Sequence, residues 1–132
     1  IISGIEFGAT PGKTLQKQPT QGFILLANKA RAAGLITTVD IVSTENPDFR
    51  TIAEAALPHT DYLIINEVEA GKIVGMNLKT SPVNVAAVSD AARALLARGV
   101  HRQVVIHFEA GAVVADCDGG VSIQASLNLP PG

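Results

Sequence analysis

Three groups of residues have types and spacings that could do chemistry. Gly8-Ala9-Thr10-Pro11-Gly12-Lys13-Thr14 ends like a phosphate-cradling loop. Asn66-Glu67-Val68-Glu69 sets an amide and a carboxylate three residues apart. His107-Phe108-Glu109-Ala110-Gly111 joins a titratable ring to a glycine-closed turn. The first group fails as a phosphate loop on its own spacing. Only three residues separate Gly8 from Gly12, where four are needed for successive N–H groups to curl around a phosphate. Pro11 removes one of those donors, and Pro19 and Gly22 arrive before any apolar stripe that could start the required helix. Lys13 therefore reads as a solvated side chain in a surface loop.

The second group is stronger. An asparagine followed at the third position by glutamate, just before an apolar run, makes a capping-box pair on spacing alone. In the third group His107 reads most simply as a buried, hydrogen-bonded histidine, with a ligand contact as the alternative. Asp40 stands out as an acid inside an apolar run, where burial without a partner would be costly. It reads equally as a structural acid bonded to nearby N–H groups. His59 and His101 lie in connecting segments and read as solvent-facing.

The elements that must position these residues follow from periodicity. Residues 1–7 read as a strand and 8–20 as a loop. Residues 21–33 read as a helix with Phe23, Leu26, Ala27 and Ala30 inward, stopped by Gly34. Leu35–Ser43 reads as a strand buried on both faces apart from Asp40. Asn46-Pro47 opens a helix whose inner face is Ile52, Ala55, Ala56 and Leu57. Asp61–Ile65 is a strand, and Glu67–Val74 a helix closed by Gly75. Val83–Arg98 is the clearest helix, with Val85, Val88, Ala92, Leu95 and Leu96 on one face. Gln103–Phe108 is a strand, and 112–115 with 121–125 form a hairpin around Asp118-Gly119-Gly120.

Strands alternating with helices predict one α/β domain over residues 1–132: a doubly wound, mostly parallel sheet with helices on both faces and a terminal β-hairpin. Ligands of such sheets bind outside the carboxyl ends of the strands. Those ends are Ser43 to Asn46, Asn66 to Glu69, and His107 to Gly111.

Bulk properties exclude several classes. A net charge of −2 with 17% charged residues gives no electrostatic reason to expect nucleic acid. Aromatic residues at 4%, without tryptophan, leave no base-stacking platform. No apolar run approaches the roughly 18 residues that would span a bilayer. The single cysteine, Cys117, reads as a surface-turn thiol and fits a reducing compartment, so a cytoplasmic location is expected. The chain opens on Ile1 without a signal-peptide pattern and reads as a piece of something longer.

Taken in order, Thr38–Ser43 (TVDIVS), the Asn-Pro helix start, Asp61–Gly75 (DYLIINEVEAGKIVG) and Gly99–Val114 (GVHRQVVIHFEAGAVV) resemble the ribokinase or pfkB-type carbohydrate kinases. The resemblance runs from about Gly22 to the end of the chain. It implies ATP-dependent transfer of a γ-phosphoryl group to a hydroxyl of a sugar or related alcohol, with Mg²⁺. It implies that Asn66 and Glu69 help place phosphate and metal, Glu69 through water, and that Asp40 helps order the phosphate side of the cleft. His107 and Gly111 fall where many members carry Thr-x-Gly-x-x-Gly near the nucleotide phosphates, although this stretch departs from that pattern. The family's general base lies in a Gly-Ala-Gly-Asp segment that would follow Gly132, so no catalytic residue is expected within the chain, and the 132 residues alone are expected to show no turnover. A small sugar and ATP are the implied partners, and a homodimer is compatible with the resemblance. Two alternatives stay open: a non-catalytic nucleotide- or sugar-binding module on the same fold, and a different α/β domain in which Asn66 and Glu69 only cap a helix.

Overall fold

A computed structural model describes residues 2–3, 19–41 and 47–126. Its elements run β1 (Ile2–Ser3), α1 (Pro19–Ala32), β2 (Thr38–Asp40), α2 (Phe49–Ala56), a single 3-10 turn (Leu57–His59), β3 (Tyr62–Asn66), α3 (Glu67–Val74), α4 (Val85–Ala97), β4 (Gln103–Phe108), β5 (Gly111–Asp116) and β6 (Val121–Ala125). The sheet has six strands in sequence order. β1 through β4 are parallel, and β5 and β6 continue antiparallel as the hairpin. The α/β class, the mostly parallel sheet and the terminal hairpin agree with the sequence expectation.

Register explains the core. Val39, Leu63, Val104 and Ala115 are aligned across β2 to β5, and Ile65, Ile106 and Val113 form the next row on the same face. All seven are fully buried and join Phe49, Ile52, Ala70, Ile73, Val88 and Leu95 from the helices in one cluster. α3 packs on β3 and β4, α4 packs on β4 and β5, and each helix touches the next. Among the described residues the helices are gathered on this one face. Strands added side by side in chain order, joined by right-handed crossovers, give that result, since helices change face only where strand order reverses. The other face carries Asp40, Tyr62, Ile64, Val105 and His107, and Ile64 remains 37% exposed.

One-sided covering corrects the expectation for the second strand. Only Thr38–Asp40 is described as strand; Val39 and Ile41 are buried, whereas Leu35 and Ile36 are exposed. α1 begins at Pro19 rather than residue 21, a position proline tolerates because the first N–H groups of a helix need no partner within it. Leu26 is exposed and Ala27 buried, and α1 packs against α2 and the 3-10 turn. α2 begins at Phe49 after Asp48, not at Pro47, and its inner face is Phe49, Ile52, Ala53 and Ala56 at ideal helical spacing. Asn46 and Gly8–Thr14 lie outside the described residues.

The later elements match more closely. α3 occupies 67–74 and closes on Gly75, whose φ of 77° is left-handed backbone that glycine adopts without strain. Asn84 caps α4, its Oδ1 accepting from the Ala87 N–H at 3.1 Å. Arg98, at the other end of α4, donates to the Ile73 carbonyl at 2.7 Å and to Glu54 Oε1 at 2.9 Å, tying three helices together.

Asp61 fixes the start of β3. Its carboxylate is buried and accepts from the Thr37 N–H at 2.9 Å, the Thr37 hydroxyl at 3.2 Å and Arg31 at 2.9 Å. Burial alone would raise its pKa. The Thr37 hydrogen bonds, the Arg31 charge and the more distant His101 together outweigh burial and hold it below its ordinary 3.8. A carboxyl whose pKa is lowered by folding stabilises the fold above its unfolded pKa, and that contribution disappears as pH falls through the folded value. Melting temperature followed from neutral pH to below 3.8 is therefore expected to drop in wild type. The drop in that window is expected to be shallower in Asp61→Asn, which has no charge to lose.

Candidate functional site

The carboxyl end of β3 carries the best-built feature. Asn66 leaves the strand with extended backbone and becomes the N-cap of α3. Its Oδ1 accepts from the Glu69 N–H at 2.8 Å, and Glu69 Oε2 accepts from the Asn66 N–H at 2.9 Å. This is the reciprocal capping box that the spacing predicts. Glu69 is only 5% exposed, so its carboxylate is held in a fixed place at the strand end.

Asn66 and His107 are cross-strand partners, and Asp40 aligns with Ile64, two residues before Asn66. Alternation along a strand therefore puts Asp40, Asn66 and His107 on the helix-free face of the sheet. Asp40 and His107 are both exposed, which fits Asp40 as the exception in its strand and corrects the buried reading of His107. The cause is again the uncovered face. His101 is exposed, as expected, and His59 is half-buried; each also has a surface partner, His59 Nδ1 lying 2.9 Å from Asn28 Oδ1 and His101 Nε2 2.6 Å from the Pro58 carbonyl.

Gly111 has a packing reason to be glycine. A Cβ there would run into the Gln124 carbonyl of β6, so any side chain would force β5 and β6 apart. β4 turns into β5 through Glu109 and Ala110 alone, since Phe108 and Gly111 already pair. A two-residue turn has no run of free N–H groups to wrap a phosphate. Cys117 is exposed in the turn region at the opposite end of the hairpin, as expected.

Beside the capping box lies a cleft of about 930 Å³, lined by Glu67, Lys79, Thr80, Glu109, Ser126 and neighbouring residues. It lies at the carboxyl ends of β3 and β4, where ligands of such sheets bind, and its volume suits a small molecule. The sequence reading marked this edge but missed the 79–83 segment. The long connection between Gly75 and α4 was the available signal, since a connection of that length is often functional. Among the described residues no group of three or more histidine, cysteine, aspartate or glutamate side chains is placed to hold a metal directly. With Glu69 Oε2 already accepting from Asn66, the residues present suit a cation held through water.

No protein-family model matches the chain, and no curated protein sequence does. Solved structures do. The chain has the α/β fold of the ribokinase- and PfkB-type kinases. A PfkB protein from a Polaromonas species superposes with a TM-score of 0.71 at 19% identity, covering 96% of this chain and 40% of that one. Arabidopsis thaliana ribokinase, complexed with ribose and ATP, gives 0.63 at 23% identity, covering 81% and 32%. Bacillus subtilis pyridoxal kinase, in an ADP complex, gives 0.61 at 24% identity, covering 84% and 45%. At these identities the likeness establishes the fold. The chain spans less than half the length of the kinases it matches.

Proposed function

We propose that this chain is part of an ATP-dependent kinase that transfers the γ-phosphoryl group to a hydroxyl of a carbohydrate or related small alcohol. The observation that carries the reading is the Asn66–Glu69 capping box, fixed at the carboxyl end of a central parallel strand and beside a cleft of ligand size. The fold shared with kinases crystallised with ATP and ADP supports it.

Phosphoryl transfer depends on positioning and charge neutralisation more than on covalent help from the protein. Asn66 is held rigidly enough to orient a phosphate oxygen through its amide. Glu69 would hold Mg²⁺ through water, and Mg²⁺ when bound would supply the neutralising charge on the phosphates. Glu69 is kept ready for this by the Asn66 N–H, which fixes its carboxylate without neutralising it. Asp40, on the same face, would order water around the metal. His107, the cross-strand neighbour of Asn66, would donate to a phosphate oxygen. Gly111 serves the site by letting β6 approach, which sets the position of the Glu109-Ala110 turn. The general base is assigned to no residue of this chain.

Calorimetric titration with ATP, with and without Mg²⁺, tests the reading. Saturable binding that needs Mg²⁺ is expected, because the edge is rich in carboxylates (Asp40, Glu67, Glu69 and Glu109) that would repel a bare triphosphate. Absence of binding under both conditions would contradict it.

A further inference from the structure

β6 ends the sheet, and among the described residues no strand pairs with its outer edge. The register shows which of its backbone groups face outward. The Asp116 N–H donates to the Gly120 carbonyl at 3.0 Å, and the Ser126 N–H donates to the Ala110 carbonyl at 2.8 Å. Both bonds lie in register with the β5–β6 ladder, where bonded and unbonded pairs alternate. Residues 122 and 124 therefore bond inward to β5, and Val121, Ile123 and Ala125 turn their N–H and C=O groups out of the sheet. The Gln124 side-chain amide donates to the Ala125 carbonyl at 3.2 Å, an exposed contact that leaves that oxygen a second lone pair.

Edges of this kind are normally protected by charged side chains, proline, a bulge or a covering element. β6 reads Val-Ser-Ile-Gln-Ala, without a charge or a proline, and its register is unbroken. Val113 and Ala115, the partners of Ile123 and Val121, are fully buried on the helix side. Val121, Ile123 and Ala125 therefore stand on that side too. α4 packs on β4 and β5 and leaves Ile123 60% exposed. The centre of an open edge is thus an uncovered apolar residue.

The strand fits its own copy. An antiparallel two-fold centred on Ile123 sets that residue opposite itself, Val121 opposite Ala125, and Ser122 opposite Gln124. Outward-facing residues then meet outward-facing residues, in three pairs that each exchange two backbone bonds. On the helix side the apolar rows of the two copies merge, and on the other side serine stands opposite glutamine. No like charges are opposed. A two-fold interface uses one patch twice, and this patch complements itself in hydrogen bonding, polarity and charge.

We propose that β6 is a docking edge for a second copy of this chain, joining two sheets into one by antiparallel β6–β6 pairing. Five residues a side make a small interface, so the dimer forms reversibly with concentration. The proposal does not rest on the kinase reading.

Sedimentation equilibrium of the full chain over a wide concentration range tests this, with a thermal melt of each variant. Wild type is expected to rise from monomer to dimer mass as concentration rises. Ile123→Lys sets two lysines opposite each other and removes both exposed isoleucines, and is expected to weaken association about tenfold or more. It is expected to melt with wild type, because residue 123 is exposed. Mild oxidation in a Cys117→Ser background reads the register. Ile123→Cys is expected to give a disulfide-linked dimer, because the two-fold brings residue 123 of each copy within disulfide reach. Ser122→Cys, which faces Gln124 instead of itself, is expected to give little. A monomer at every concentration overturns the proposal and leaves the edge to a strand of another chain. A dimer that persists unchanged in Ile123→Lys, or that cross-links at 122 in preference to 123, also overturns it, since its interface lies elsewhere.

Discussion

Asp61→Ala is expected to lower the free energy of unfolding by about 3 kcal/mol, the range for removing one partner from a buried charged network. The substitution takes away the acceptor for the Thr37 N–H and for Arg31 at once, while the Thr37 hydroxyl keeps the His59 carbonyl at 2.9 Å. The Thr37 N–H is then left buried without its partner. Thr37 is 1% exposed, so water cannot easily replace the carboxylate. Asp61 also lies at a junction: its carbonyl accepts from the N–H groups of Arg102 and Gln103 at the start of β4. Loosening it should therefore disturb β2, β3 and β4 together. Urea unfolding followed by circular dichroism checks this. Asp61→Asn, which keeps one acceptor oxygen, is expected to lose distinctly less, and equal losses would place the effect elsewhere.

Asn66→Asp is expected to weaken Mg·ATP binding by about tenfold or more while leaving the melting temperature close to wild type. Asparagine and aspartate are equivalent N-caps, and a negative charge at a helix start is favourable. The backbone cap on Glu69 therefore survives. The amide that could meet a phosphate oxygen does not survive, and a carboxylate in its place repels the phosphate. Asn66→Ala removes cap and ligand contact together, and is expected to lose about 1 kcal/mol of stability as well as affinity. The contrast separates a helix cap from a phosphate contact, since a residue that only caps would leave Asn66→Asp with normal affinity.

The parts of this molecule legible in its sequence are those set by local rules. The Asn66–Glu69 box, the Gly75 stop, Asn84 ahead of α4 and the hairpin glycines each depend on residues within four positions of one another. Asp61 was not legible as the anchor of β3, because its partners Thr37 and Arg31 are 24 and 30 residues away. The exposure of His107 was hidden for a related reason. An apolar strand reads as buried on both sides, and only the order of neighbouring strands reveals that the described helices cover one side. Val105 and Ile64 look like core residues in the sequence yet belong to the uncovered face. The cleft was harder still, since Lys79 and Glu109 line it together only through the pairing of β3 with β4. Gly111 carries a constraint that its place in a nucleotide-loop resemblance did not show, since its close approach to the β6 backbone comes from a strand that pairs across the hairpin.

Glu69→Gln gives the most direct measurement of the central claim. Glutamine at the third helical position can still reach back to the Asn66 N–H, so the capping box and the melting temperature should persist. What is lost is the charge that would hold Mg²⁺ through water. Calorimetric titration of wild type and Glu69→Gln with Mg·ATP, beside a thermal melt of each, is expected to give at least about a tenfold loss of affinity, or 1.4 kcal/mol, at unchanged stability. Equal Mg·ATP affinity in the two proteins would contradict the account and leave Glu69 as a helix cap alone.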